Sequence, residues 1–255
     1  MRHALAVRGF ILRTPLLSSL ARWTVAQIRA VRLLRKRLVR NQIGWQRRHW
    51  ERQLALDDPY AVSAQELRWG TPGCASDRLG DYARVLKLLQ EEITPSSRVL
   101  EIGSYSGKWT QHMSQARLVI CVDLFEASFD FLKKRVGDRV NLEFYKTRGD
   151  ELRGIAGHSI DLVFTMDTLM RIPRRAIRRY LTEIFRVLAP GGSFIVHLPC
   201  REMGFCRGMY FTSLSRQWID RAVRRAGFHD YVMDSTTLHH GVLLLGQKSG
   251  AIRAR

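Results

Sequence analysis

The stretch Val99-Leu100-Glu101-Ile102-Gly103-Ser104-Tyr105-Ser106-Gly107 decides the fold of this chain. It is an apolar run that ends in a carboxylate and continues into a turn bounded by two glycines. Sixteen residues after Gly107, Asp123 closes the next apolar run. Glycine permits positive φ and close backbone approach, and an acid at the tip of the following strand can accept hydrogen bonds from ribose hydroxyls. The two features together predict a strand–turn–helix unit that binds an adenosine-type cofactor.

The glycine spacing discriminates between cofactors. A dinucleotide fingerprint would need glycines at 103, 105 and 108, where this chain has Gly103, Tyr105 and Lys108. The pattern acid-x-Gly-x-x-x-Gly resembles motif I of the class I S-adenosylmethionine-dependent methyltransferases. The family's usual form has a third glycine where Tyr105 stands. A tyrosine there narrows the turn and places a ring beside the methionine part of the cofactor.

Along the chain around this stretch, strand-like apolar runs alternate with segments that have helical spacing. Strand-like apolar runs fall at 97–102, 118–123, 141–146, 160–166 and 193–198. Helical segments fall near 107–115, 126–136 and 173–189, and Asp81 is expected to cap a helix that runs to Glu92. This alternation predicts a parallel sheet with right-handed crossovers.

The C-terminal part departs from the alternation. A helix near 213–226 precedes two strands, 230–234 and 241–246, joined by the loop Ser235 to His240. Strands joined without a helix must be antiparallel. The whole order resembles the methyltransferase sheet, which implies an α/β fold: a Rossmann-like, seven-stranded, mostly parallel sheet with an antiparallel last strand and helices on both faces.

The resemblance extends over residues 81–248. Gly149-Asp150-Glu151 stands where the family places its adenine-contacting acid, Ser159 to Phe164 looks like its fourth-strand motif, and Arg186 to Gly192 looks like its helix-to-fifth-strand turn. The resemblance implies S-adenosyl-L-methionine as the cofactor. The residues expected to contact it are Glu101, Gly103, Ser104, Tyr105, Gly107, Asp123, Leu124, Asp150, Glu151 and Met166.

Catalytic candidates should lie at the carboxyl edge of the sheet, where ligands gather in open parallel sheets. A hydroxyl acceptor usually needs a general base, whereas an amine acceptor has only to be neutral. His197, at the end of strand five, is the preferred base, and Asp167 is either the base or an orienting partner. The competing interpretations are a strand-end histidine bonded to backbone and an aspartate that forms a turn.

Substrate contacts are expected from three further residues. Related methyltransferases often read Leu-x-His-Ile-Pro after strand four, and here Leu169 to Pro173 has Arg171 in place of the histidine. Arginine cannot act as a base, but it can bind an anionic acceptor, unless it is a solvated helix-start residue. His239 and His240 line the acceptor pocket or are ordinary loop residues. The dispersed acids supply no recognisable metal-ligand spacing, so no metal is expected.

The charge of the chain is concentrated at its N-terminus. The formal net charge is +19, and residues 1–50 hold twelve of the 42 basic residues and none of the 23 acids. Apolar residues recur there at helical spacing. This arm is a basic amphipathic helix that contacts an anionic membrane surface, packs on its own domain, or acts as an organelle-targeting segment. The predicted organisation is an extension (1–56), a connector (57–80) and a methyltransferase domain (81–250).

The sequence therefore predicts an enzyme that methylates a hydroxyl or amine of a small-molecule or glycan-type acceptor. Basic residues on the predicted helices 173–189 and 213–226 would suit an anionic acceptor. Two alternatives stay open: a nucleic-acid (RNA) methyltransferase or RNA-binding protein that uses the basic arm, and a non-catalytic scaffold with the cofactor fold. Four cysteines without zinc-type spacing favour a reduced compartment. The expected location is the cytoplasm, with peripheral membrane contact through residues 1–50 and organelle targeting as the other outcomes.

Overall fold

A seven-stranded sheet forms the centre of the computed structural model, which describes residues 80–139, 141–207 and 211–250. The predicted N-terminal extension and nearly all of the predicted connector lie outside the described residues. The strands are β1 (Arg98–Ile102), β2 (Leu118–Asp123), β3 (Leu142–Lys146), β4 (Ile160–Thr165), β5 (Leu188–Leu198), β6 (Asp230–Asp234) and β7 (Val242–Gln247). The α-helices are α1 (Asp81–Glu92), α2 (Ala127–Val136), α3 (Arg174–Val187) and α4 (Arg216–Ala226).

The strand order is β3-β2-β1-β4-β5-β7-β6. Neighbouring strands from β3 to β5 pair in parallel, while β7 is antiparallel to both β5 and β6. The predicted fold class and the antiparallel C-terminal hairpin are therefore confirmed. The chain builds outward in one direction from β1 to β3 and then returns to β4, so the switch point for ligand binding lies between β1 and β4.

Two apolar cores cover the two faces of the sheet, because successive strand residues point to opposite sides. Leu100 contributes to the core packed by α3 and α4, and Val99 to the core packed by α1 and α2. Both side chains are fully buried. Burial on both faces explains why the central strands are continuous apolar runs, as is typical of parallel sheets.

Two local predictions differ from the structure. The helix expected near 107–115 is only a 3₁₀ turn, Thr110–His112. Thr110 is buried there, and its hydroxyl donates to the Glu101 carboxylate at 2.5 Å, which fixes the segment to β1. Asp81 is not the N-cap of α1, since Gly80 holds that position and the Asp81 side chain contacts the β6–β7 loop.

Among the described residues, the helices are too short and too polar to cross a bilayer.

Candidate active site

The turn after β1 is held against the tip of β2. The amides of Gly103 and Ser104 donate to the carbonyl oxygen of Val122, at 2.7 and 3.3 Å. Gly103 and Gly107 have φ of +79° and +84°, and a Cβ on Gly103 would lie 1.9 Å from the hydroxyl oxygen of Thr168. The backbone path therefore needs glycine at both positions, for conformational reasons and, at 103, for space.

Tyr105 stands where the family pattern usually has glycine, and it also has a positive φ, +44°. A side chain in this left-handed region is disfavoured by about 1 kcal/mol or more. The Tyr105 amide donates to Oδ2 of Asp123 at 2.9 Å, which offsets part of that cost. The turn thus tolerates the missing glycine through a contact from the next strand.

The Asp123 carboxylate ties two loops together at the tip of β2. Its Oδ1 accepts from the Phe125 amide at 2.9 Å, and its Oδ2 accepts from the Tyr105 amide. Burial raises the pKa of this carboxyl, and the backbone hydrogen bonds oppose that rise. Each carboxylate oxygen has a second acceptor position. The group can therefore shape the turn and still accept hydrogen bonds from a ligand.

Glu101, the acid that opens the motif, is 2% exposed on β1. Burial raises its pKa to about 8, while the hydrogen bond from Thr110 works in the opposite direction. The carboxyl group is accordingly mostly neutral at neutral pH. In the described structure it supports the turn from below through Thr110.

The acids after β3 are paired with arginines. Asp150 forms an ion pair with Arg179 of α3, and Glu151 lies 3.1 Å from the guanidinium of Arg153. Leu124 lies beside the same loop, because a Cβ on Gly149 would be 3.6 Å from its Cδ1. The structure thus brings the residues after β2 and β3 together at one edge, as the cofactor assignment requires.

At the ends of β4 and β5, three side chains form a compact cluster: Asp167, His197 and His240. Oδ1 of Asp167 lies 3.0 Å from Nδ1 of His197 and 3.1 Å from Nε2 of His240. The other ring nitrogen of His197, Nε2, is 2.7 Å from the backbone carbonyl oxygen of His240. Both histidines are buried, whereas 34% of the Asp167 side chain is exposed. Asp167 is therefore the member of the cluster that solvent or an acceptor can reach.

The electrostatics of the cluster favour an ionised aspartate. Burial opposes the charge on Asp167, but the hydrogen bonds and charges of His197 and His240 hold the pKa of this carboxyl well below its usual range. Burial also lowers the pKa of His240, partly offset by Asp167. Asp167 itself has φ of +61°, a conformation that loop-forming aspartates tolerate better than most residues.

His239 points away from this cluster toward α1. Its Nδ1 and its backbone amide both contact Oδ2 of Asp81, the amide at 3.0 Å. Asp81 is almost fully buried, and Arg84 binds its Oδ1 at 2.5 Å. Arg84 also donates to the carbonyl oxygen of Thr237, at 2.9 Å from its Nη2. The first turn of α1 therefore fixes the β6–β7 loop that presents His240.

Arg171 is half-buried in the loop between β4 and α3. Its guanidinium lies 5.8 Å from the ring centroid of Phe211, and burial lowers its pKa against the opposing charge of Asp167. Met166, which ends the β4 run, is 6% exposed. The catalytic, cofactor-binding and substrate-binding roles of all these residues stay predictions. The structure nevertheless places most of them at the carboxyl edge of the sheet.

Comparison with known proteins identifies the fold. The family model described as a methyltransferase domain matches residues 99–192. The matched region contains the motif turn, Asp123, the residues after β3 and the end of β4. Residues 99–192 therefore match a methyltransferase domain, and the sheet has the fold of the class I S-adenosylmethionine-dependent methyltransferases. A search of curated proteins found no match.

Solved methyltransferases share its architecture at low sequence identity. Phosphoethanolamine N-methyltransferase 1 from Haemonchus contortus superposes with a TM-score of 0.63 at 18% identity, over 85% of this chain and 51% of that one. The N-methyltransferase NodS from Bradyrhizobium japonicum gives 0.57 at 15% identity, over 79% and 97% of the two chains. The CurJ carbon methyltransferase gives 0.54 at 16% identity, over 76% and 62%. The chain thus spans about half the length of the Haemonchus enzyme.

Both the Haemonchus and the Bradyrhizobium methyltransferase structures contain S-adenosylhomocysteine. The residues at this edge of the sheet fit a cofactor of that kind. The hydroxyl oxygens of Ser104 and Thr165, at the tips of β1 and β4, are buried without a hydrogen-bond partner among the described residues.

Three residues that support the methyltransferase site escaped sequence reasoning. Thr110 holds Glu101, Asp81 holds the β6–β7 loop, and Arg179 pairs with Asp150. Asp81 was identified only as a helix start, and its acidic character in the first turn does not disclose a partner that lies 158 residues away. These contacts depend on the tertiary fold and carry no local signal.

Proposed function

We propose that this methyltransferase domain methylates a hydroxyl or an amine of a small-molecule or glycan-type acceptor. The observation that carries the proposal is the Asp167 carboxylate at the switch-point edge, held in place by two buried histidines. S-adenosylmethionine supplies a methyl group on a sulfonium, and much of the rate gain in such a displacement comes from alignment of the reactants. The residues of the cluster provide that alignment on the acceptor side.

Asp167 can hold the acceptor through its second carboxylate oxygen. Both histidines contact Oδ1, and no hydrogen bond or ion pair to a described residue uses Oδ2. We assign Oδ2 as the acceptor-facing atom, which would take a hydrogen bond from an amine N–H or a hydroxyl O–H. For a neutral amine, that contact is enough to direct the lone pair.

His197 supports this assignment as a positioning residue. Its ring is completely buried, and both nitrogens face atoms of the protein. A group in that position acts on the acceptor through Asp167. We therefore propose that Asp167 is the member that touches and orients the acceptor, and that His197 orients Asp167.

An anionic acceptor is supported by Arg171, whose charge interacts with Asp167 and could attract a carboxylate or phosphate of the acceptor. We propose an acceptor that combines a nucleophilic hydroxyl or amine with an acidic group.

The test is methyl transfer from radiolabelled S-adenosylmethionine to a panel of amines, alcohols and glycans, with and without acidic groups. Asp167→Asn should lower transfer by about tenfold to a thousandfold, because it replaces the acceptor-facing carboxylate. Asp161→Asn is the matched control, since Asp161 lies at the other end of the same strand and binds the Arg98 amide. Equal transfer by the two variants would refute the role of Asp167, and no transfer to any panel member would refute the acceptor class.

A further inference from the structure

In the cluster of Asp167, His197 and His240, one ring nitrogen of His197 faces both an acceptor and a donor of Asp167. Nδ1 of His197 lies 3.0 Å from the carboxylate oxygen Oδ1 of Asp167 and 3.3 Å from the backbone nitrogen of the same residue. The carboxylate is an acceptor and the backbone N–H is a donor. A protonated Nδ1 suits the first contact and opposes the second, while an unprotonated Nδ1 does the reverse.

The second ring nitrogen of His197, Nε2, limits the protonation states that the ring can adopt. Nε2 of His197 faces the carbonyl oxygen of His240 at 2.7 Å, and because a carbonyl only accepts, Nε2 carries a proton. A neutral His197 then has its lone pair on Nδ1, where it accepts from the Asp167 amide and also lies 3.0 Å from the lone pairs of Oδ1. The close approach of Nδ1 and Oδ1 is repulsive unless a proton lies between them or both atoms bind the same metal cation.

We propose that Asp167, His197 and His240 bind one divalent first-row transition-metal ion. Their ligand atoms Oδ1, Nδ1 and Nε2 lie within 4.8 Å of one another. Two imidazoles and one carboxylate suit ions such as Zn²⁺, Fe²⁺ or Co²⁺ better than Mg²⁺ or Ca²⁺. Metal-binding histidines commonly donate their other N–H to a backbone carbonyl, which is the contact that His197 makes with His240.

A neighbouring trio of possible ligands, Asp81, His239 and His240, is a less favourable metal site. Asp81, His239 and His240 also place three ligand atoms within 4.8 Å of one another. The Arg84 guanidinium, however, lies 2.5 Å from the Asp81 carboxylate and already supplies a positive charge there. Among the described residues, the ion pairs of Asp167 are those with the two histidines, and Arg171 acts on it only at longer range. The charge distribution favours the Asp167 trio.

The metal site would define the acceptor class, and this consequence rests on the proposed function. A metal-bound hydroxyl loses its proton far more readily than a free one. The hydroxyl proton would pass to solvent, the new C–O bond would form as the S–CH₃ bond breaks, and the products would be a methyl ether and S-adenosylhomocysteine. The ion would supply the activation that a carboxylate of low basicity does not, so a loaded site favours hydroxyl acceptors.

The test is titration of the chelator-treated full chain with Co²⁺, monitored by visible absorbance and calorimetry and followed by Zn²⁺ competition. We expect one site per chain. His197→Gln should weaken Co²⁺ affinity by at least about tenfold. His229→Gln is the matched control, because His229 is exposed at the opposite edge of the sheet, and it should leave the affinity unchanged.

His239→Gln distinguishes the two trios. A loss of Co²⁺ affinity in His239→Gln that equals or exceeds the loss in His197→Gln would overturn the proposal. Equal losses of affinity in His197→Gln and His229→Gln would also overturn it. So would the absence of Co²⁺ binding to the unsubstituted protein at millimolar concentration. Since His197 is buried, Asp167→Asn provides a second variant on a partly exposed side chain, and S-adenosylhomocysteine binding checks that each variant is folded.

Failure of the two proposals can be told apart. A protein that methylates panel acceptors equally well before and after chelator treatment, and binds no Co²⁺, would refute the metal site and leave the acceptor class standing. A protein that binds Co²⁺ at the trio and methylates no hydroxyl or amine would refute the acceptor class alone.

Discussion

The buried carboxyl of Glu101 should make the stability of this domain depend on pH in a defined direction. Its pKa rises from 4.5 to about 8 because the side chain is removed from water on β1. Between these two pH values the folded protein binds a proton at Glu101 that the unfolded chain has lost. Stability therefore falls as pH rises through this interval, since it rises only where the unfolded state binds more protons.

The magnitude follows from the size of the shift. At about 1.4 kcal/mol per unit of pKa, a change from 4.5 to about 8 corresponds to at most about 5 kcal/mol of unfolding free energy. The neutral, nearly isosteric variant Glu101→Gln cannot titrate and can still accept from the Thr110 hydroxyl. The difference in unfolding free energy between wild type and variant should thus change by a few kcal/mol from about pH 5 to about pH 8, in favour of the variant.

Urea denaturation at several pH values measures this difference, with m-values compared to confirm a common unfolding transition. Glu143→Gln, an exposed acid on β3, is the control and should show no such change. If the difference between wild type and Glu101→Gln stays constant across this pH range, the carboxyl is already ionised in the folded protein, and the account of a neutral Glu101 beneath the cofactor turn is wrong.

Two further outcomes are expected. Asp123→Asn should weaken S-adenosylhomocysteine binding by about 10- to 100-fold in calorimetry, because at least one charge-assisted hydrogen bond of about 1.5–3 kcal/mol is lost. Asp130→Asn on α2 is the control. Unchanged affinity in Asp123→Asn would disprove the ribose role of Asp123. Removal of residues 1–50 should abolish sedimentation with anionic vesicles, since each basic residue near such a surface adds about 1 kcal/mol; a truncated chain that still sediments would show that the arm is not the anchor.

The fold was predictable because its signals are local and repeat along the chain. The glycine turn at Gly103 and Gly107, the acid at Asp123 and the helix-free connection between β6 and β7 each follow from spacing within a short window. The segment after Gly107 was wrongly predicted to be a helix, because the glycine turn was expected to open one in a strand–turn–helix unit. Tertiary contacts decided otherwise: Thr110 binds Glu101, and Trp109 stacks on Tyr82 with ring centroids 4.7 Å apart.

For the site, the sequence allowed prediction of residues at the ends of single strands but not of all the contacts between them. Asp167 and His197 were both recognised as strand-end residues, and the parallel pairing of β4 with β5 brings them together across 30 residues of sequence. Oδ1 of Asp167 also contacts His240, another 43 residues along the chain, because β7 inserts antiparallel beside β5. Sequence spacing could not reveal this contact.

The same topology explains why no metal was expected from the sequence and why a metal site is now proposed. Ligand motifs are recognised when their residues lie on one helix or one loop, whereas these three ligands come from three segments that meet only at the sheet edge. Each segment also has an independent structural reason to be there: a β4 loop start, a β5 end and a loop fixed by Asp81. Because Asp81 positions His240 through the β6–β7 loop, loosening that contact should disturb the cluster without touching any of its members, which makes α1 a support of the chemistry as well as of the core.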